Sequence, residues 1–268
     1  MPIDEGSTEA GHVVAALRSG HDTLVPIVES LTEDQLTGPS AATEWDVSQV
    51  VSHLGSGAVI SKAALDAALA GKPVPGMDAN RAVWARWDAM TPQDRAAEFP
   101  VANQSLVAAY ESLDAGTRQS LRIDLGFLPA PVDVATAARF RLSEFALHSW
   151  DVRVALDPAA TVAPEAVPLL LPHAARMLSW AAKPEALPDR PVQVLVTLSD
   201  VGEQFGLTVG DQVTVGSPPA DPAARLSLPA EAWLRLVAGR LRAEHTPAGV
   251  GLTGGVTLDE LRKVFPGF

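Results

Sequence analysis

Apolar residues spaced alternately three and four apart, Val14, Leu17, Leu24, Val28 and Leu31, form a line with His21 among them. This line limits what the chain can become more than any other feature. The spacing follows the turn of an α-helix and marks a seam that faces other helices. It predicts a helix from about Thr8 to Leu31, with Pro26 kinking it or ending its regular part. A polar connection, Thr37-Gly38-Pro39-Ser40, follows. A second helix begins at Asp46 as N-cap with Gln49 three residues on, the signature of a reciprocal capping box. It passes through His53 to about Leu69, where Gly71 and Pro73 stop it. Residues Asn80 to Met90, with Trp84 and Trp87, read as a short helix. Thr91-Pro92 starts another, Pro100 is expected to interrupt it, and a helix through Leu106, Tyr110 and Leu113 resumes. After Pro129 and Pro131, Asp133 caps a long helix to about Leu156 that carries Glu144 and His148. Four main helices joined in this way suit an up-and-down bundle.

The pattern changes at Asp157-Pro158, the expected domain boundary. A helix at about Pro164 to Trp180 precedes two breakers, Pro184 and Pro188. Val192 to Leu198 alternates as a strand does. Gln204 to Val209 and Gln212 to Val215 read as a hairpin around Gly210-Asp211, a type I′ pair. Arg225 to Leu228 is a further strand, and Pro229 opens a helix with Trp233, Leu236 and Val237. Gly251-Leu252-Thr253-Gly254-Gly255 lacks the Gly-Lys-Ser/Thr of a phosphate loop and reads as a turn. Thr257 to Phe265 closes the chain as a short helix. The fold class expected is therefore α+β: a helical bundle over residues 1–158, then a small α+β domain over 159–268.

A net charge of −12 argues against nucleic acid and against an anionic membrane surface as partners. No apolar run approaches the roughly 20 residues that span a bilayer. The start, Met1-Pro2-Ile3-Asp4-Glu5, is acidic and lacks the apolar stretch of a signal peptide, so the cytoplasm is the expected location. The absence of cysteine excludes disulfides, thiolate metal sites and a cysteine nucleophile. Any thiol in the reaction must come from a cofactor or substrate. No Gly-x-Gly-x-x-Gly precedes a helix, which leaves no nucleotide fingerprint. The partners expected are small molecules, for a monomer or homodimer.

Glu144 and His148, four residues apart, share a helix face. Such pairs also decorate solvated faces, but here Phe145, Leu147 and Trp150 make the surroundings apolar. Bundle cores build metal sites from helix-borne carboxylates and histidines. His53, flanked by Val50 and Leu54 on another helix, is either a packed core histidine or a third ligand. Two imidazoles and one carboxylate leave a fourth position open, as in a catalytic site for zinc or another divalent metal. Gly55-Ser56-Gly57-Ala58 either lets a ligand approach the helix or lets another helix pack closely. Asp151 is either a second acceptor that orients an imidazole or an exposed acid. His21 reads as core packing. Arg240, in line with Trp233, Leu236 and Val237, either grips an anion with its planar fork or reaches out to solvent, and Arg225 is the second such arginine.

The combination Trp45-x-Val47, His53-Leu54 and Arg141-x-x-Glu144-x-x-x-His148-x-x-Asp151 resembles the mycothiol-dependent maleylpyruvate isomerase family. That family belongs to the DinB-like metal-binding four-helix bundles, and its members often add a sterol-carrier-like α+β domain. The tail resembles that domain more loosely, through Leu234, Gly239 and Arg240. The resemblance implies zinc on His53, Glu144 and His148, with mycothiol as the thiol cofactor. It also implies an essential arginine in the tail, for which Arg240 is the first assignment and Arg225 the second, and Asp151 joins Arg240 as a catalytic candidate. The implied chemistry is attack by a cofactor thiolate on a small, maleylpyruvate-like electrophile. Release of the thiol after bond rotation gives isomerisation, and its retention gives S-transfer. Two other classes fit the residues alone. One is a metal-dependent hydrolase with Glu144 or Asp151 as base. The other is a non-catalytic protein that binds a small molecule or lipid.

Overall fold

The computed structural model describes residues 5–187 and 191–267. The acidic Met1-Pro2-Ile3-Asp4 segment and the Pro188 breaker lie outside them. The chain forms two compact units, one ending at Ala166 and one starting at Val167. The first contains α1 (Glu5–Ser30), α2 (Glu33–Leu36), α3 (Val47–Leu69), α4 (Met77–Asp88), α5 (Pro92–Glu111), α6 (Ala115–Ser120), β1 (Arg122–Ile123), β2 (Val132–Asp133) and α7 (Val134–Leu156). The long helices α1, α3, α5 and α7 make the expected bundle. Asp157-Pro158 lies in the turn after α7, and the segment beyond stays with the first unit, where Trp150 Nε1 donates to the Ala160 carbonyl at 2.8 Å.

The seam read from α1 is the seam that packs: Val14, Leu17, His21, Leu24 and Val28 are all buried. Leu54 and Leu65 of α3, Phe99 and Leu106 of α5, and Phe145 of α7 are buried as well, and α1 packs against α5 and α7. The helix runs through Pro26 and ends at Ser30. Pro100 does not interrupt α5, contrary to the expectation from sequence. An internal proline costs about 3 kcal/mol through a lost hydrogen bond and a ring clash. Phe99, Leu106 and Tyr110 on the same helix are all buried, and each such side chain contributes about 1.5–3 kcal/mol, so packing outweighs the local cost.

Two features of the bundle need side chains distant in sequence. Trp87 of α4 is buried with its six-membered ring against Gly55 of α3, where an added Cβ would lie 2.0 Å from the ring. The small residues after His53 therefore serve helix packing at this point. The second feature is a polar chain through the core. Arg141 Nη2 on α7 donates to the Leu54 carbonyl of α3 at 2.7 Å and to Asn103 Oδ1 of α5 at 3.1 Å. Because a guanidinium only donates, the Asn103 oxygen faces it and the Asn103 NH2 faces His21 Nδ1 of α1 at 3.0 Å. All three side chains are buried. One hydrogen-bonded chain thus touches each of the four long helices.

The second unit contains α8 (Val167–Ala181), β3 (Val192–Leu198), β4 (Glu203–Val209), β5 (Val213–Gly216), β6 (Ala224–Leu228), α9 (Ala230–Val237), β7 (Gly251–Gly254) and α10 (Leu258–Val264). Its sheet has the order β5-β4-β3-β6-β7, with β3 and β6 parallel and the other neighbours antiparallel. The α+β class holds. Trp233 of α9 packs edge-on against Phe205 at 5.1 Å and Phe265 at 6.4 Å.

Three local readings are corrected here. Val209 pairs with Val213 and Gly210 N donates to the Gln212 carbonyl, so the hairpin loop has three residues. Gly210 and Asp211 lack the positive φ that a type I′ turn demands. The Gly251–Gly254 stretch is an edge strand on β6, with Arg225 opposite Thr253, because ladder bonds use main-chain groups and need no β-forming side chain. Arg240 lies beyond α9, which ends at Val237, so it is off the Trp233 stripe. Gly239, at φ 71°, reverses the chain as a left-handed C-terminal glycine does. The arginine buried on α9 is Arg235, which makes a bidentate pair with Glu231 at 2.7 Å on both arms and donates to the His245 carbonyl.

Gly55→Ala should destabilise the bundle by about 3 kcal/mol, the upper end for overpacking, because its methyl group takes the place of the Trp87 ring. Urea denaturation with tryptophan fluorescence measures this, and wild-type stability in the variant would contradict the packing described. His21 gives a pH signature. Burial, then the nearby Arg18 cation, lower its pKa from the usual 6.5, against smaller opposing effects of Asp22, Glu111 and Glu29. The unfolded state therefore takes up the proton first. The stabilisation is complete above pH 6.5 and is lost as pH falls towards the folded-state value. His21→Gln, which keeps an acceptor for Asn103, should flatten that part of the stability–pH curve.

Candidate metal centre

The site is assembled from the N-terminal half of α3 and the middle of α7. Asp46 Oδ1 accepts from Gln49 N at 2.7 Å, and Asp46 N donates to Gln49 Oε1 at 2.8 Å. This capping box fixes the first turn of α3 and so the angular position of His53, about two turns on. Asp133 caps α7 through Thr136 N at 2.7 Å. Glu144 and His148 then follow each other up one face of α7.

The three side chains meet. His53 Nε2 lies 3.0 Å from Glu144 Oε2, and His148 Nε2 lies 3.8 Å from the same oxygen. One donor atom from each residue falls within 4.8 Å of the others. Ligands bound to one tetrahedral zinc at about 2.0–2.1 Å stand roughly 3.3 Å apart, so small shifts of the side chains bring the set to the spacing of an ion's ligands. Exposure is graded: the Glu144 side chain is 53% exposed, His53 35% and His148 12%. The donors thus open to solvent on the Glu144 side.

Asp151 is fully buried, which removes the reading as an exposed acid. Its Oδ2 lies 2.9 Å from His148 Nδ1. A carboxylate accepts, so Nδ1 carries the proton and Nε2 presents its lone pair towards His53 and Glu144. The chemistry of the set fits a divalent metal: two imidazole nitrogens, one carboxylate and a hydrogen-bonded partner behind one imidazole.

Sequence reasoning did not foresee the role of the loop before α3. Trp45 stacks on His148, with ring centroids 5.9 Å apart and planes 26° apart, and tilts over His53 at 5.2 Å. The loop holds the indole in place with its own bonds. Ser40 N and Oγ both donate to the Trp45 carbonyl, at 3.1 and 2.8 Å, and Trp45 N donates to the Ala42 carbonyl at 3.2 Å. Within that turn Glu44 has φ 69°, a left-handed conformation uncommon for a side chain of this type. Ala41 N donates to the Asp151 carbonyl at 3.2 Å, which ties the loop to the helix position that supports His148. The signals available in sequence were the place of Trp45 in the Trp45-x-Val47 pattern and its proximity to the α3 cap.

The structure therefore brings His53, Glu144, His148 and Asp151 together in the first unit. Arg225 and Arg240 belong to the second. Arg225 is exposed on β6. Arg240 is half-buried, and its Nη1 donates to the Ala238 carbonyl at 3.1 Å.

A four-helix bundle in which two histidines and a glutamate from two helices form a set that could hold a metal ion, followed by a small α+β unit, defines the class of the protein. The model of the mycothiol maleylpyruvate isomerase N-terminal domain matches residues 17–153, just over half of the chain. The chain belongs to this family and is an enzyme of the isomerase or transferase kind. Two solved structures resemble it over 92% of this chain and 95% of theirs, with TM-score 0.65 and 14% identity. One is described as the mycothiol-dependent maleylpyruvate isomerase and the other as a histidine-to-alanine mutant of it. At that identity they establish the likeness of fold. No curated protein matches the sequence. None of the described helices is long and apolar enough to cross a membrane.

In protein loaded with a divalent metal, Asp151→Asn should leave the metal bound but weaken affinity or activity roughly 10–100-fold, since the amide favours the wrong imidazole tautomer. His148→Ala should remove most of the metal while α7 stays helical. Metal content by emission spectrometry and helicity by circular dichroism check both. Full metal occupancy in His148→Ala would reject the ligand assignment.

Proposed function

We propose that this enzyme carries out mycothiol-dependent isomerisation, or the related S-transfer, on a small anionic electrophile resembling maleylpyruvate. In this reading one zinc ion is held by His53, Glu144 and His148. The observation that carries the reading is the convergence of these three donors from two helices. Zinc bound to such a set lowers the pKa of a thiol in its open position and keeps it as thiolate. The chain has no cysteine of its own, so the thiol is supplied by a cofactor. The family match supports mycothiol as that cofactor.

The residues of the first unit around the donors have separable tasks. Asp151 keeps the proton on His148 Nδ1 and fixes the ring. Trp45 lays its apolar surface beside both imidazoles and excludes water from that side. The exposed Glu144 side leaves an approach for small molecules. Arg240 supplies a cation to a carboxylate of cofactor or substrate, a need that is sharp in a chain of net charge −12. Arg225 is the next residue to test for this task. A cytoplasmic setting suits a cysteine-free enzyme that uses a small-molecule thiol.

Calorimetric titration of zinc-loaded protein with mycothiol should show about one site per chain, lost in His148→Ala. Absence of thiol binding to the zinc-loaded protein would move the reading to hydrolysis by activated water. Arg240→Ala should raise KM or lower kcat with zinc retained. Arg240→Lys should recover only part of the loss, because an ammonium lacks the planar fork. Wild-type kinetics in both variants would shift the anion-binding task to Arg225.

A further inference from the structure

Arg141 is a cation in the bundle core for which the chemistry of the donor set gives no immediate use. It sits one helical turn before Glu144 and is 5% exposed. Among the described residues no carboxylate forms an ion pair with it, and its Nε is buried without a hydrogen-bond partner. Its Cζ lies 5.8 Å from the centroid of the Phe145 ring. Burial pulls its pKa down to about 10, against a smaller opposing effect of Glu144, so it is still charged at neutral pH. An apolar side chain of similar length would avoid this desolvation, though it would leave Asn103 Oδ1 without that donor.

The position of its bonds explains the charge. Nη2 reaches the carbonyl of Leu54, the residue after His53, at 2.7 Å. The guanidinium thus spans from the ligand helix α7 to the ligand helix α3 at the level of the metal set. The same nitrogen is held by Asn103 of α5 at 3.1 Å. On α3 the space it occupies is kept open by Gly57, where an added Cβ would lie 2.8 Å from Nη1.

We propose that Arg141 is a positioning residue of the metal centre: by binding the Leu54 carbonyl from α7 it sets the spacing of α3 and α7 at which His53 meets Glu144 and His148. This rests on the metal reading of the three donors. It predicts that the buried charge serves the site and not the stability of the bundle.

The test uses the full-length protein in wild-type, Arg141→Met, Arg141→Lys and Gly57→Ala forms. Three quantities are measured: the urea midpoint of metal-free protein, zinc affinity by chelator competition, and the visible d–d spectrum of the cobalt-loaded site. Arg141→Met should change the urea midpoint little, since the desolvation it relieves is offset by the donor lost to Asn103 Oδ1, bind zinc roughly 10–100-fold more weakly, and shift the cobalt bands. Arg141→Lys should fall between Met and wild type, since an ammonium can bond one carbonyl but cannot hold the fork. Gly57→Ala keeps the charge and displaces it, so it should also weaken zinc and shift the bands. It serves as the deciding variant where Arg141→Met does not fold. Wild-type zinc affinity and cobalt spectrum in a folded Arg141→Met or Gly57→Ala would overturn the positioning role and leave the metal reading intact. Failure of wild-type protein to bind zinc or cobalt would overturn the metal reading itself, and the positioning role with it.

Discussion

The buried guanidinium of Arg141 is the constraint on which the register of the four long helices at the level of the donor set depends. Removing a charge from water costs several kcal/mol even after relaxation. Apolar seams alone specify that helices pack, and they tolerate sliding by a turn or exchange of neighbours. A charge in the core does not, because its donors must find acceptors. Here the acceptors are the Leu54 carbonyl and Asn103, and Asn103 in turn engages His21. The chain of bonds selects one arrangement of α1, α3, α5 and α7 at one level of the bundle. That level adjoins the donor set, since Leu54 follows His53 and Arg141 precedes Glu144 by one turn.

The donor set depends on burial in a second way. Asp151 is completely buried, and a carboxylate in that position requires a hydrogen-bond donor close by. His148 Nδ1 provides it, and the imidazole is thereby fixed in one tautomer and one orientation. The Trp45 loop presses on the other side of the same ring. His148 is thus confined by a carboxylate behind it and an indole against its face. Glu144 stays the most exposed of the three donors. A rigid, shielded imidazole beside a solvent-facing carboxylate suits a site that must hold its geometry while small molecules enter.

Much of the fold was legible in the sequence where the cause is local. The capping box at Asp46 and the cap at Asp133 involve residues three apart, and both helices start where those residues say. Glu144 and His148 share a face because of helix pitch alone. The failures share a physical origin. Pro100 is a local breaker overridden by burial of Phe99 and Leu106. Gly251–Gly254, with glycine at both ends, has little strand propensity and becomes a strand because β6 presents a free edge to it. Arg240 continued a helical stripe on paper, but Gly239 turns the chain before it, and the buried arginine is Arg235.

The sequence by itself determined where α3 and α7 begin, the seam of α1, the pairing of Glu144 with His148 on one face, and the absence of any protein thiol. These follow from residue types at separations of a few positions, where backbone geometry alone dictates the outcome. Only the tertiary structure decided that His53 joins that pair, that Asp151 is buried behind His148, that Trp45 covers the imidazoles, and that Gly55 and Gly57 make room for Trp87 and Arg141. Each of these depends on side chains brought together from distant segments, as with Arg141 and Leu54, 87 positions apart. Burial and hydrogen-bond satisfaction select such contacts, and both are properties of the packed molecule, not of any stretch of its sequence.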